Sequence, residues 1–237
     1  MVTALGIGGG WLLNRAFQQR AAIRHYCELS SHLPPEHYYN HYITIGFALT
    51  EEQIKASKLP RQPTWRDRPY QWLGGDECWG QVVRVLLNHT AATDDDLRRL
   101  AALPALEELE LAGTNITDGG LPLLHACPQL RYVDLADTSI SDEGLAHLAA
   151  LGRLEALSLD RTRISDDGLR HLTRLEGLQS LTLRGTGITD EGVPYLAELT
   201  ALTELFVPGT AITEEGHRKL QAQLPHCRIR RSSQLNH

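Results

Sequence analysis

A 24-residue period runs without slippage through the C-terminal two thirds of this chain, and it constrains the fold more than any other feature. Its anchors are Val82, Leu106, Leu130, Leu154, Leu178 and Leu202. Each opens the phrase L-x-x-L-x-L-x-x-T-x-I-[T/S]-D-x-G-L-x-x-L-x-x-L. The cleanest copy contains Leu154, Leu157, Leu159, Thr162, Ile164, Ser165, Asp166, Gly168, Leu169, Leu172 and Leu175. A period of this length marks a solenoid, in which each unit buries its apolar face only by stacking on its neighbours.

The hydrophobic period changes within each unit. L-x-L alternates and predicts a short strand, whereas G-L-x-x-L-x-x-L has helical spacing. Thr117, Ser141, Ser165, Thr189 and Thr213 stand where a helix N-cap is needed. The acidic residues that follow (Asp118, Asp142, Asp166, Asp190, Glu214) suit the positive end of a helix dipole. Gly120, Gly144, Gly168, Gly192 and Gly216 predict a close approach of turn and helix. Thr90, Thr114, Thr138, Thr162, Thr186 and Thr210 share one buried turn position, where their hydroxyls can satisfy backbone groups. The expected fold is α/β, a right-handed β–α superhelix. Six parallel strands form its concave side and helices its convex side, with an N-terminal α+β cap. Residues 81–224 hold the repeats, 1–80 the N-terminal segment, and 225–237 a C-terminal cap and tail. Within the tail, Pro225 to Ile229 reads as an edge strand that Arg228, Arg230 and Arg231 guard against unwanted pairing.

Composition changes at about Gly80. All four tryptophans and five of the seven tyrosines precede it. This aromatic segment is the expected cap. It contains a helix from Trp11 to about Leu29, a short strand around Ile43, Ile45 and Phe47, and a helix opened by the capping box Thr50-Glu51-Glu52-Gln53. Residues Val2–Leu13 are uncharged and mostly apolar, too short to cross a bilayer, which takes about 20 residues. Two readings stay open: a helix packed on the solenoid end, or the tail of a transmembrane anchor whose first half lies upstream of Met1. Under the second, the protein is membrane-associated; otherwise it is cytoplasmic.

The formal charge of -6 argues against a nucleic-acid partner, which calls for a basic face. The four cysteines are scattered, with neither C-x-x-C nor Cys/His metal spacing. No nucleophile motif, phosphate-cradling loop or H-E-x-x-H occurs. No enzyme, cofactor or metal is therefore expected. His147 and His171 share a helix position in adjacent repeats and are expected side by side on the surface.

The recurring anchors resemble the leucine-rich-repeat family over about two thirds of the chain. The phrase I-T-D-x-G-L is similar to the cysteine-containing subtype, common in F-box substrate-recognition subunits of ubiquitin ligases, with Thr here in place of the turn Cys. Only Cys127-Pro128-x-Leu130 resembles the original. Trp11, Asn14, Arg15, Ala16, the run Trp72-Leu73-Gly74-Gly75-Asp76 and Val82-Val83-Arg84-Val85 resemble bacterial leucine-rich-repeat proteins that carry an N-terminal membrane anchor. The resemblance implies a monomeric, non-enzymatic module binding a protein partner, with a ubiquitin-ligase-like adaptor or an anchored envelope protein as alternatives. Leu33-Pro34-Pro35-Glu36 matches the start of an F-box, but the apolar helix that motif requires does not follow.

The binding surface implied by this architecture is the concave sheet, built from the x residues around L-x-L. The candidate contact residues are Glu108, Glu110, Tyr132, Asp134, Ser158, Asp160, Thr182, Arg184 and Phe206. The first four form an acidic stretch around an aromatic ring. The last two bring charge and apolar surface toward the C-terminal end.

Overall fold

The computed structural model describes residues 46–48 and 81–231. The expected N-terminal helices, aromatic cap and apolar segment 2–13 lie outside the described residues. Among the described residues, eight strands form one sheet in chain order: β1 (Gly46–Ala48), β2 (Gln81–Leu86), β3 (Glu108–Glu110), β4 (Tyr132–Asp134), β5 (Ala156–Ser158), β6 (Ser180–Thr182), β7 (Glu204–Phe206) and β8 (Arg228–Arg230). β1 pairs antiparallel with β2, and it contains the end of the strand expected around Phe47. From β2 to β8 all pairings are parallel, and each strand meets the next 24 residues on, as in Glu108↔Tyr132↔Ala156. β8 is the strand expected at the C-terminal edge.

Between the strands run α1 (Asp94–Leu97), α2 (Asp142–Leu148), α3 (Asp166–Leu172), α4 (Val193–Glu198) and α5 (Glu214–Gln223). The second repeat departs from the expected α-helix, since Asp118–Ala126 is a 3₁₀-helix throughout. Pro122 gives the reason: it has no N–H to donate to the carbonyl four residues back, so the turn tightens. Pro194 occupies the same repeat position, and there too a 3₁₀ turn, Asp190–Gly192, precedes α4.

The core is a stack of identical layers. One inward residue of each strand from β2 to β7 (Val85, Leu109, Val133, Leu157, Leu181, Leu205) is buried, as are the helix leucines Leu97, Leu121, Leu145, Leu169 and Leu196 behind them. Burying one such side chain contributes about 1.5–3 kcal/mol. The predicted threonine column is present. Each hydroxyl donates to the carbonyl three residues earlier, from Thr90 to Leu87 at 2.7 Å through Thr186 to Leu183 at 2.7 Å. Thr210 repeats the bond at the less buried end of the column.

The acidic column does more than favour a helix dipole. Each aspartate of the column reaches forward to the N-cap residue of the next repeat, while the last member, Glu214, pairs with Arg231. Asp94, Asp118, Asp142, Asp166 and Asp190 accept the backbone N–H of Thr117, Ser141, Ser165, Thr189 and Thr213 at 2.8–2.9 Å. Their second oxygens accept the hydroxyls of the same residues at 2.5–2.6 Å. The Thr117, Thr189 and Thr213 hydroxyls also accept an N–H from their own helices, as expected of N-caps, whereas the Ser141 and Ser165 hydroxyls make no such bond. The glycine column follows from this ladder. A Cβ on Gly120, Gly144, Gly168, Gly192 or Gly216 would collide with the aspartate carboxylate of the preceding repeat. None of these five glycines has a positive φ, so space, rather than backbone freedom, selects the residue.

Candidate functional site

With one face of the sheet filled mainly by leucines, the other presents the alternate residues of β3 to β8, and these are half-buried to exposed. The parallel register sorts them into rows across the strands. One row reads Glu108, Tyr132, Ala156, Ser180, Glu204, Arg228. The next reads Glu110, Asp134, Ser158, Thr182, Phe206, Arg230. Just past the strand ends lie Asn88, Asp160 and Arg184. The nine residues expected to make the site thus share one face.

Glu108 is ion-paired with Arg84 on β2. Glu110 accepts a hydrogen bond from the Asn88 amide at 2.5 Å, and the Asn88 carbonyl oxygen accepts the Ala112 N–H at 2.8 Å. Burial pushes the Glu110 carboxyl above its ordinary range. The Asn88 bond opposes that shift, while the nearby Asp134 charge adds to it. Tyr132 holds its phenolic proton more tightly than usual, first through desolvation and then through the Asp134 and Glu110 charges. Asp134 accepts the Ala136 N–H at 3.0 Å and Asp160 accepts the Arg184 N–H at 2.9 Å, so both carboxylates also brace the strand ends. Thr182 donates to the Ser158 hydroxyl at 3.2 Å. Phe206 lies between Thr182 and Arg230 in the sheet register.

Three features of this face go beyond the expected site. Asn88 is part of the acidic cluster because it holds Glu110. Arg228 and Arg230 belong to the concave rows as well as to the sheet edge, and continuing the 24-residue count one step past Glu204 and Phe206 reaches them. A rim also follows the strands, at one position per repeat where the backbone is left-handed: His89, Gly113, Asp137, Arg161, Gly185 and Gly209, with φ from 54 to 74°. Glycine at three of the six positions was a readable sign of this conformation. Asp137 and Arg161 form a two-bonded ion pair along the rim, and each holds the other in its charged form.

The remaining polar clusters are less suited to a ligand. A depression of about 440 Å³ at the start of the strands is lined by Glu107, Gln129, Arg131, Arg153 and Glu155 among others. Two of its charges are matched to each other, Arg131 bonding Glu155 at 2.7 and 2.9 Å, and the Arg153 guanidinium donates to the neutral Gln129 amide oxygen. On the helix side, the ring beside His147 is that of His125, with centroids 6.5 Å apart and the His125 Nε2 2.9 Å from the His147 carbonyl oxygen. His171 instead has its neighbour Arg170 at 3.4 Å. Among the described residues no three His, Cys, Asp or Glu side chains converge to hold a metal, and no helix is long and apolar enough to cross a membrane.

A family model described as "Leucine Rich repeat" matches residues 103–123, 126–149 and 178–197. Among solved structures, internalin C2 of Listeria monocytogenes is 23% identical, with a TM-score of 0.49, over 62% of this chain and 70% of that one. A second internalin of the same organism is 20% identical, with a TM-score of 0.43, over 56% and 43%. A leucine-rich-repeat protein of Leptospira interrogans is 16% identical, with a TM-score of 0.37, over 56% and 45%. The match therefore spans less than half the length of the latter two. No curated protein matches the sequence. The repeats of this chain are leucine-rich repeats, and the fold they build is a leucine-rich-repeat solenoid. Such domains serve generally as protein-interaction modules.

Proposed function

We propose that this chain is a non-enzymatic recognition module that docks a protein partner on its concave sheet. The observation that carries the reading is the contrast between the two sheet faces. One is consumed by the leucine core, while the other holds a rigid, register-locked array of carboxylates, hydroxyls, arginines and two aromatic rings facing solvent. Strand-borne side chains cost little entropy to organise on binding, which favours affinity. Aromatic and arginine residues are the types enriched among interface anchors, and Tyr132, Phe206 and Arg184 supply them here.

Affinity capture with the full chain tests the reading. The baits are the wild type, a concave variant (Glu110→Arg/Tyr132→Ala/Asp134→Arg) and a helix-side control (His147→Ala/His171→Ala). The expected result is a partner retained by wild type and control and lost with the concave variant, while circular dichroism confirms that all three baits are folded. A partner held equally by all three would place docking elsewhere and reject the proposal.

A further inference from the structure

Among the concave-face charges outside the Arg84–Glu108 pair, Glu110 and Asp134 lie toward one end of the solenoid and Arg184, Arg228 and Arg230 toward the other, with Asp160 past the end of β5 and Glu204 on β7 as acidic exceptions. At the β3–β4 end stand Glu110 and Asp134, neither in an ion pair among the described residues. At the β7–β8 end stand Phe206 and Arg230, with Arg184 at the end of β6. Neither arginine is ion-paired among the described residues. Between them the floor is small and hydroxylic, with Ala156, Ser158, Ser180 and Thr182. Parallel strands are spaced at about 4.8 Å, so four steps separate Asp134 from Arg230 by about 19 Å, and five separate Glu110 from it by about 24 Å. An extended chain advances about 3.3 Å per residue, so groups that meet both ends are about six to seven residues apart.

We propose that the partner segment is extended, crosses the strands, and is charged in opposite senses at its two ends. A Lys or Arg side chain lies over Glu110 and Asp134. An Asp or Glu lies against Arg230 and Arg184, and an apolar residue beside it covers Phe206. The hydroxyl floor favours extended backbone over helix. Ser158 and Thr182 bond each other, and the Ser158 hydroxyl keeps its proton available for a carbonyl. An extended segment presents free backbone groups there, whereas the middle of a helix presents none. A second copy of this chain is disfavoured by shape, because two concave faces brought together touch only at their rims. This inference rests on the concave docking reading above and specifies the chemistry of what docks.

The test is selection of random ten-residue peptides displayed on phage against the full chain, followed by titration of the enriched peptides. The titrations use the wild type, Glu110→Gln/Asp134→Asn, and Arg184→Gln/Arg230→Gln. The carboxylate replacements keep side-chain shape, and the amide introduced by Glu110→Gln still offers an acceptor to Asn88. The expected outcome is enrichment of peptides with a basic and an acidic residue about six to seven positions apart. Each double variant should weaken them by about three- to tenfold, and added salt should weaken them further. Enriched peptides of one sign or none that still lose affinity on the concave variants would overturn the two-ended segment while leaving concave docking intact. Peptides bound equally by every variant, or a library with no enrichment, would overturn both.

Discussion

At the residue scale, the glycine column gives a test in which local propensity and packing predict opposite signs. Gly168 lies in the first turn of α3, where alanine is the better helix former by up to about 1 kcal/mol. The structure predicts instead that Gly168→Ala destabilises by about 1–3 kcal/mol, since the new methyl group strikes the Asp142 carboxylate and Leu145. Asp142→Ala is expected to cost a similar amount by stripping the Ser165 N–H and hydroxyl of their acceptor. The two changes should be clearly less than additive when combined, because the second removes the group the first collides with. Urea denaturation of the single and double variants reads all three values. Cys127 offers a second test. Its thiol is buried against the Leu100 and Leu103 carbonyls, and burial pushes its pKa up to about 12. Cys227 shifts in the same direction for the same reason. In a Cys27→Ser/Cys78→Ser background, neither remaining thiol should react with a disulfide reagent at pH 8 until the fold is opened by denaturant. Rapid labelling of the native protein would contradict the packing described here.

At the scale of elements, much of the solenoid was legible because its period is strict. Once Leu109, Val133 and Leu157 are seen to recur, strand order, register and the inward face follow, and with them the rows containing Glu110, Asp134 and Phe206. Side-chain partners did not follow. The spacing of Asp142 and Ser165 is the same whether the aspartate favours its own helix dipole or braces the next repeat, and only the three-dimensional stacking decides between them. Pro122 was visible, but its effect depends on whether the turn can tighten to 3₁₀ without exposing Leu121 and Leu124, which remain buried. Restoring the missing N–H with Pro122→Ala is expected to raise the helical signal in far-ultraviolet circular dichroism slightly while leaving the fold intact. A loss of structure would show that the 3₁₀ turn is required. Arg230 illustrates a different gap. An arginine on a terminal strand guards the edge equally well on either face, and only extending the 24-residue count past the last full repeat places it beside Phe206, where the register of β7 with β8 puts it.

At the scale of the whole molecule, charge couples stability to acidity in a defined direction. Asp137, Glu155 and Asp190 all hold their protons less tightly than ordinary carboxyls, owing first to Arg161, Arg131 and the Thr213 hydroxyl respectively. A carboxyl depressed in the folded state adds stability that is fully present above its unfolded pKa, about 4, and is lost as the pH falls through the folded value. Glu110 is raised and acts in the opposite sense, but it is one group against three. The urea midpoint should therefore fall between pH 6 and pH 3, and a midpoint that rose on acidification would contradict these assignments.

The forward-reaching aspartates also set the terms on which the molecule can change length. Every rung joins an acceptor in one unit to a donor pair in the next, always in the same direction, so each repeat has one kind of end facing back and the other facing forward. A duplicated unit, for example residues 154–177 copied in tandem, would find a waiting carboxylate on one side and a waiting hydroxyl and N–H on the other. In-frame duplication is thus a structurally silent event, and a chain seven repeats long should fold and unfold at a higher denaturant concentration than the original. The reach of the concave surface is accordingly a quantity that copying errors can adjust by about 4.8 Å at a time.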